Sequence, residues 1–230
     1  MRALLLPIKD LRNAKQRLAG VLTPQERLGL AQAMLADTVR AVRGIRQAEK
    51  IFVVTNYGPA IAIAEANGWE VLLEERQISE SVSVDTASQQ CWERGITSAL
   101  RLPLDVPLVE SRDIDELLAL ECAPPALVIV PSRDGTGTNA ILRTPPTLFP
   151  SHFGAGSFAK HCAEGERKGA KIIRRRNVRL EMDVDDEADL RLLLQQDLSG
   201  TRTGAWLSET GIRKKLCGEA VATQNVPAQT

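Results

Sequence analysis

The chain has 230 residues, and its 29 lysines and arginines are balanced by 29 aspartates and glutamates. A neutral chain of this length suits one α/β domain and argues against a protein that coats nucleic acid or an anionic membrane. No apolar run approaches the roughly 20 residues that span a bilayer, and the first residues lack the features of a signal peptide. The four cysteines are widely spaced and contain no CxxC pair, which favours reduced thiols in a cytoplasmic protein.

Strands and helices are predicted to alternate along the chain. Apolar and β-branched runs predict strands at residues 4–7, 51–55, 69–73, 97–102, 126–130 and 140–143, and an extended segment at 180–184. Helix-start signals and apolar spacing predict helices that begin at residue 24 and at residues 59–67, 84–94, 113–120, 157–168 and 187–194. Thr23 and Glu26 are spaced as a capping box. The alternation predicts a mostly parallel sheet with helices on both faces. One domain is expected over residues 1–198, followed by an extension over 199–230 whose last ten residues are disordered.

Polar loops follow the predicted strands and therefore meet at one edge of the sheet, where ligands bind in such folds. The loop after the first strand carries four cations, Lys9, Arg12, Lys15 and Arg17. Lysine and arginine neutralise phosphate charge and hydrogen-bond its oxygens, so the loop suits a triphosphate. A solvated charged loop without a ligand fits the same residues equally well.

Carboxylates follow two other apolar segments. Asp105 lies between two prolines directly after a predicted strand, and Asp183 and Asp185 are two residues apart, so they share one face of an extended segment. Oxygen ligands of this kind suit Mg²⁺ bridged to substrate phosphates. The alternative is that these aspartates form turns, with Asp185 or Asp186 capping the helix that follows.

Two glycine-rich loops lie in the second half of the chain. Residues 131–139 offer main-chain amides and hydroxyls to an anion, although a plain hairpin is the simpler reading. Residues 153–157 open a helix, whose free amides favour anions. The histidines His152 and His161 are too isolated for a zinc site or a triad, and we expect His161 on a helix surface or at its packing edge.

Several of these segments together resemble the 2-phospho-L-lactate guanylyltransferase family, which acts in the biosynthesis of the deazaflavin coenzyme F-420. They are residues 7–9, 14–18, 102–108, 134–139 (DGTGTN), 153–158 (FGAGSF) and 183–185 (DVD). The match is colinear from about residue 3 to 195. It implies a single-domain, Rossmann-like nucleotidyltransferase of the glycosyltransferase-A type. It also implies GTP as donor and 2-phospho-L-lactate, phosphoenolpyruvate or 3-phospho-D-glycerate as acceptor.

The resemblance also assigns roles to individual residues. The implied GTP loop contains Pro7, Lys9, Lys15 and Arg17, and Lys15 and Arg17 are expected to stabilise the leaving pyrophosphate. The implied metal ligands, for Mg²⁺, are Asp105, Asp183 and Asp185, and the implied acceptor pocket contains Thr138, Gly154 and Ser157. Many relatives have Gly-Leu-Asn where this chain has residues 79–85, and Asp85 can accept hydrogen bonds from guanine there.

Two other functions stay open at the level of the sequence. One is a sugar-phosphate or molybdopterin nucleotidyltransferase of the same fold, which usually has a glycine-rich segment after strand one that residues 7–17 lack. The other is a non-enzymatic nucleotide-binding module, which would tolerate loss of Asp183 and Asp185. The sequence leaves the oligomeric state open, a homodimer included.

Overall fold

The computed structural model describes residues 1–120 and 123–216. Within these residues, seven strands form one sheet in the order β3-β2-β1-β4-β6-β5-β7. The strands are β1 (Arg2–Pro7), β2 (Lys50–Thr55), β3 (Glu70–Leu73), β4 (Ser98–Arg101), β5 (Ala126–Pro131), β6 (Thr138–Thr144) and β7 (Lys171–Arg174). The helices are α1 (Pro24–Arg43), α2 (Gly58–Ala66), α3 (Glu80–Glu93), α4 (Ser111–Leu118), α5 (Ser157–Arg167), α6 (Glu187–Leu193) and α7 (Arg202–Glu209).

The sheet is mostly parallel, as predicted. Strands β3, β2, β1 and β4 run parallel to one another, and β7 runs parallel to β5. Strand β6 is antiparallel to both β4 and β5. The reversal follows from the short link of residues 132–137, because a parallel pair needs a crossover of a dozen or more residues.

Helices cover both faces of the sheet, which confirms the predicted α/β class. Leu4 and Leu6 of β1 lie in a core cluster with residues of α1, α2 and α4. Ala3 and Leu5 point to the other face, where they pack with residues of α3. Side chains alternate between the two faces of a strand, so β1 is buried on both sides.

Helix α1 begins where the sequence predicts. The Thr23 hydroxyl accepts a hydrogen bond from the main-chain N–H of Glu26 at 3.2 Å, and the Glu26 carboxylate accepts one from the N–H of Thr23 at 2.7 Å. The capping box is therefore confirmed, and it holds the end of α1 that follows the loop at residues 8–22.

Three elements differ from the sequence prediction: β7 and α7 were not predicted, and α3 begins at another residue. Strand β7 was missed because it has only two apolar residues, Ile172 and Ile173, between charged ones at a half-exposed edge. Helix α3 begins at Glu80 rather than at residue 84, because the Ser79 hydroxyl accepts from the N–H of Val82 and caps it. Residues 180–184 lie in a loop outside the sheet.

The first part of the predicted C-terminal extension packs against α1. Leu207 of α7 lies in a buried cluster with Leu30 and Met34 of α1. The carboxylate of Asp37, which is 1% exposed, accepts from the main-chain N–H groups of Arg202 at 2.7 Å and Thr203 at 2.8 Å. The domain boundary at residue 198 stays a prediction, and the predicted disordered tail lies outside the described residues. In the part of the chain that the structure describes, no helix is long and apolar enough to cross a membrane.

Candidate functional site

Two adjoining pockets open at the edge of the sheet where β1 and β4 end. The hairpin pocket, of about 640 Å³, is lined by the link between β5 and β6, the start of α5 and residues 183–189. The loop pocket, of about 470 Å³, is lined by the loop that follows β1. Four residues line both pockets: Glu80, Arg101, Pro103 and Asp105. The junction of the pockets is therefore rich in charge.

Lys15 joins two of the predicted aspartates at this junction. Its Nζ atom donates to Asp105 Oδ2 at 2.9 Å and to Asp185 Oδ1 at 3.2 Å, and its side chain is only 10% exposed. Lys15 lies in the left-handed backbone region with φ of 54°. Burial lowers the pKa of Lys15, but the two carboxylates outweigh it and raise the pKa above its ordinary value. The lysine therefore stays protonated.

The loops that carry Asp105 and Asp183 are joined by their main chains. The N–H of Val184 donates to the carbonyl oxygen of Asp105 at 3.1 Å. Burial would raise the pKa of Asp105, but the charges of Lys15 and then Arg101 hold it below its ordinary value. Burial raises the pKa of Asp183 to about 6, and the charges of Asp105 and Asp185 add to the effect.

The donor set suits a metal ion that substrate oxygens help to bind. Among the described residues, no three His, Cys, Asp or Glu side chains form a group that could hold a metal by themselves. Mg²⁺ commonly takes one or two carboxylates and completes its coordination with water and substrate phosphates. Burial and the negative charges of Asp105 and Asp185 raise the pKa of Asp183, and the charge of a bound cation would oppose that shift.

The remaining cations of the predicted GTP loop lie around the same two pockets. Arg17 is exposed, lines the hairpin pocket, and donates to Asp186 at 2.8 Å. Pro7 and Lys9 line the loop pocket. Asp186 also accepts from the N–H of Asp189 and so caps α6. The alternative reading of Asp186 as a helix cap is correct.

The predicted acceptor residues lie together on the wall of the hairpin pocket. Thr138 and Ser157 are buried, and their hydroxyl oxygens are 3.1 Å apart. Gly154 has φ of +113°, a conformation that side chains with a Cβ rarely adopt, and nothing lies within 4 Å of where a Cβ would point. This wall therefore offers hydroxyls beside an open stretch of main chain.

His161 contacts Thr138 on the side of that wall away from the pocket. Of its two expected positions, the helix surface is wrong and the packing side is right, because its ring is fully buried on the side of α5 that contacts β6. Its Nε2 accepts from the main-chain N–H of His152 at 2.8 Å, so the neutral ring carries its proton on Nδ1, 3.0 Å from Thr138 Oγ1. Burial, with the charge of Arg143, lowers the pKa of His161 to about 3. The imidazole stays neutral and donates to Thr138.

Like the exposed Arg12, Asp85 is a predicted residue that the structure does not bring to these pockets. It lines neither of them. Its carboxylate accepts from the N–H and hydroxyl of Ser151, at 2.9 and 2.6 Å, and pairs with Arg143 at 3.2 Å. Glu80, one and a half turns earlier in α3, faces the junction instead.

Arg101 is a site residue that the sequence analysis missed. It ends β4, is 7% exposed, and its guanidinium carbon lies 4.5 Å from the ring centre of Phe153. The available signal was a single charged residue within the apolar run at positions 99–102. Such a residue in a central strand is buried with a partner, and here the partner is Glu80.

Solved structures with the same fold include one described as a nucleotide-diphospho-sugar transferase from Desulfovibrio desulfuricans G20. It has a TM-score of 0.75 at 16% identity and covers 93% of this chain and 96% of that chain. A cytidylyltransferase from Leptospira borgpetersenii has a TM-score of 0.55 at 13% identity, and covers 99% of each chain. The fold is therefore that of the nucleotidyltransferases with the nucleotide-diphospho-sugar transferase architecture.

Sequence comparison narrows this class. The model of the guanylyl transferase CofC-like family matches residues 1–225. A phosphoenolpyruvate guanylyltransferase of Rubrobacter xylanophilus is 34% identical over 82% of this chain and 91% of its own length. A 2-phospho-L-lactate guanylyltransferase of Methanobrevibacter ruminantium is 28% identical over 91% of both chains. The chain belongs to the CofC-like family and is a guanylyltransferase.

Proposed function

We propose that this guanylyltransferase moves GMP from GTP to the phosphate of a small three-carbon phospho-acid and releases pyrophosphate. The observation that carries the proposal is the Lys15 bridge between Asp105 and Asp185, where the two pockets meet. A buried, protonated lysine among carboxylates offers one positive and several negative groups, which can exchange partners with phosphates and a cation. Such a site suits two anionic substrates that must be brought together.

The reaction needs no nucleophile from the protein. An oxygen of the acceptor's phosphate attacks the α-phosphorus of GTP and forms a new P–O bond. The bond from that phosphorus to the α,β-bridging oxygen breaks, and pyrophosphate leaves with the electron pair. The protein's contribution is in-line placement and neutralisation of charge. Lys15 and Arg17 are the cations that would stabilise the leaving pyrophosphate.

Each substrate has a pocket of matching chemistry in this proposal. GTP would use the loop pocket, with Pro7 beside the nucleoside and Lys9 beside its phosphates. The acid would use the hairpin pocket, where Thr138 and Ser157 offer hydroxyl groups and Gly154 leaves the main chain open to it. Both substrates then present phosphate to the residues at the junction.

Mg²⁺ would be held by carboxylates among Asp105, Asp183 and Asp185 together with substrate oxygens. When bound, it would neutralise phosphate charge and polarise the α-phosphate. The protonated Lys15 would pair with phosphate oxygens of the bound substrates.

The acceptor is proposed to be phosphoenolpyruvate or 3-phospho-D-glycerate in preference to 2-phospho-L-lactate, in a pathway leading to coenzyme F-420. The relative at 34% identity that is named a phosphoenolpyruvate guanylyltransferase supports this order. One small group in an apolar pocket gives only about 1–3 kcal/mol of discrimination, whereas a site that binds a hydroxyl discriminates more. Measured kcat/KM values for the three acids at saturating GTP test the order, and a clear lead for phospholactate would refute it.

A further inference from the structure

The guanidinium of Arg101 has one edge that the protein leaves incomplete. Its Nη1 donates to the main-chain oxygens of Thr138 at 3.3 Å and Asn139 at 3.1 Å, which fixes the group beside the hairpin pocket. Its Nη2 donates to a single oxygen of Glu80. Its Nε is buried and has no hydrogen-bond partner. The Nε and Nη2 donors form the side of the fork that binds carboxylate or phosphate with two hydrogen bonds.

The unpaired Nε matters because a buried donor without a partner is costly. The penalty is about 1–3 kcal/mol, and it is larger for charged groups. Glu80 does not relieve it, since Glu80 contacts only Nη2. A ligand anion that replaced Glu80 and bound both donors would satisfy the whole edge.

The position of Arg101 points to the acid rather than to the nucleotide. Arg101 is bonded to the main chain of Thr138 and stacks on Phe153, the residue before Gly154, so it adjoins the proposed acid wall. It also lines both pockets. Its charge is one of the smaller contributions that lower the pKa values of Asp105 and His161, so the charge of Arg101 acts on both residues.

We propose that Arg101 recognises an anionic group of the phospho-acid through its Nε and Nη2 donors, and that Glu80 covers this edge until the acid displaces it. The inference rests on the proposed function and adds a specificity residue to it. Glu80 then acts as an internal competitor. A binding-competent state that is only partly populated weakens the apparent affinity in proportion.

Opposite substitutions give opposite predictions. In Arg101→Lys the fork is lost, and the KM for the acid should rise about tenfold or more, because hydrogen bonds to charged groups are worth that much. The KM for GTP should change far less. In Glu80→Gln the competing charge is removed, and the KM for the acid should fall about two- to fivefold. The second variant keeps the test valid if Arg101→Lys folds poorly.

The chain offers a matched control pair elsewhere. Arg94 also lies over an aromatic ring, that of Phe52 at 5.5 Å, and pairs with Glu70 at 3.2 Å, but neither charged residue lines the two pockets. Arg94→Lys and Glu70→Gln should leave the KM for the acid unchanged. They report what the loss of a more exposed arginine–glutamate pair beside an aromatic ring does by itself.

The experiment measures steady-state KM values for phosphoenolpyruvate and GTP, and calorimetric binding of phosphoenolpyruvate to each variant. The inference is overturned if Arg101→Lys keeps the wild-type KM for the acid or raises the KM for GTP instead. It is also overturned if Glu80→Gln binds the acid more weakly than the wild type does. If the wild type transfers GMP to no acid, the proposed function fails, and calorimetry decides the inference separately. The inference is then supported if the wild type binds phosphoenolpyruvate and Arg101→Lys does not. It is overturned if the two proteins bind phosphoenolpyruvate equally, or if the wild type does not bind it.

Discussion

Replacing His161 with glutamine should change how the stability of the protein responds to acid. The pKa of His161 is about 3 in the fold against an ordinary value of 6.5, so the unfolded chain binds the proton more readily. Stability from this group is fully present above the unfolded pKa and is lost as the pH falls below it. Between about pH 8 and about pH 4.5, proton linkage at this residue alone lowers the free energy of unfolding by about 2.7 kcal/mol.

The assay is denaturant unfolding of wild type and His161→Gln at a series of pH values. Carboxylates contribute acid sensitivity to both proteins, so the difference between their slopes isolates the imidazole. Cys162→Ala, at a buried neighbour, should lower stability without changing the slope. Parallel pH dependence in wild type and His161→Gln would refute the buried, neutral ring and its hydrogen bond to Thr138.

Two further substitutions test the proposed metal site and the packing of helix α7. Asp183→Asn should leave the melting temperature close to that of the wild type and reduce turnover by about a thousandfold or more. The reason is that losing a metal ligand removes several kcal/mol of transition-state stabilisation. Near-full turnover at limiting Mg²⁺ would show that Asp183 is not a ligand. Asp37→Ala should lower the free energy of unfolding by about 2–4 kcal/mol, because two buried N–H groups at the start of α7 lose their acceptor. Asp37→Asn, which keeps one oxygen acceptor, should lose less, and equal losses in the two variants would contradict this role.

The fold and the strand-end cluster could be predicted because they follow from local pattern. The capping box that begins at Thr23 spans only four residues, and the strands are indicated by short apolar runs. Asp105 follows β4 and Lys15 follows β1, and loops at one edge of a parallel sheet are brought together by the topology. Residues 180–184 lie outside the sheet, so the position of Asp185 beside Lys15 depends on tertiary contacts instead.

The residues that sequence reasoning missed depend on tertiary contacts. Arg101 and His161 are polar types that usually lie at the surface, and only packing shows that they are buried beside Phe153 and Thr138. The role predicted for Asp85 stays a prediction, and the structure places Asp85 away from the two pockets because α3 begins at Glu80. Five residues along a helix rotate a side chain by roughly 140° relative to the first, so the two carboxylates face different surroundings.

The most direct test of the proposed function is the release of pyrophosphate by the purified protein with GTP, Mg²⁺ and one acid at a time. We expect release to require both GTP and a phospho-acid, with equal amounts of pyrophosphate and guanylylated acid by mass spectrometry. ATP, CTP and UTP should be poor substitutes for GTP. Pyrophosphate release without an acid, or equal turnover with ATP, would contradict a GTP-specific transfer to a phospho-acid.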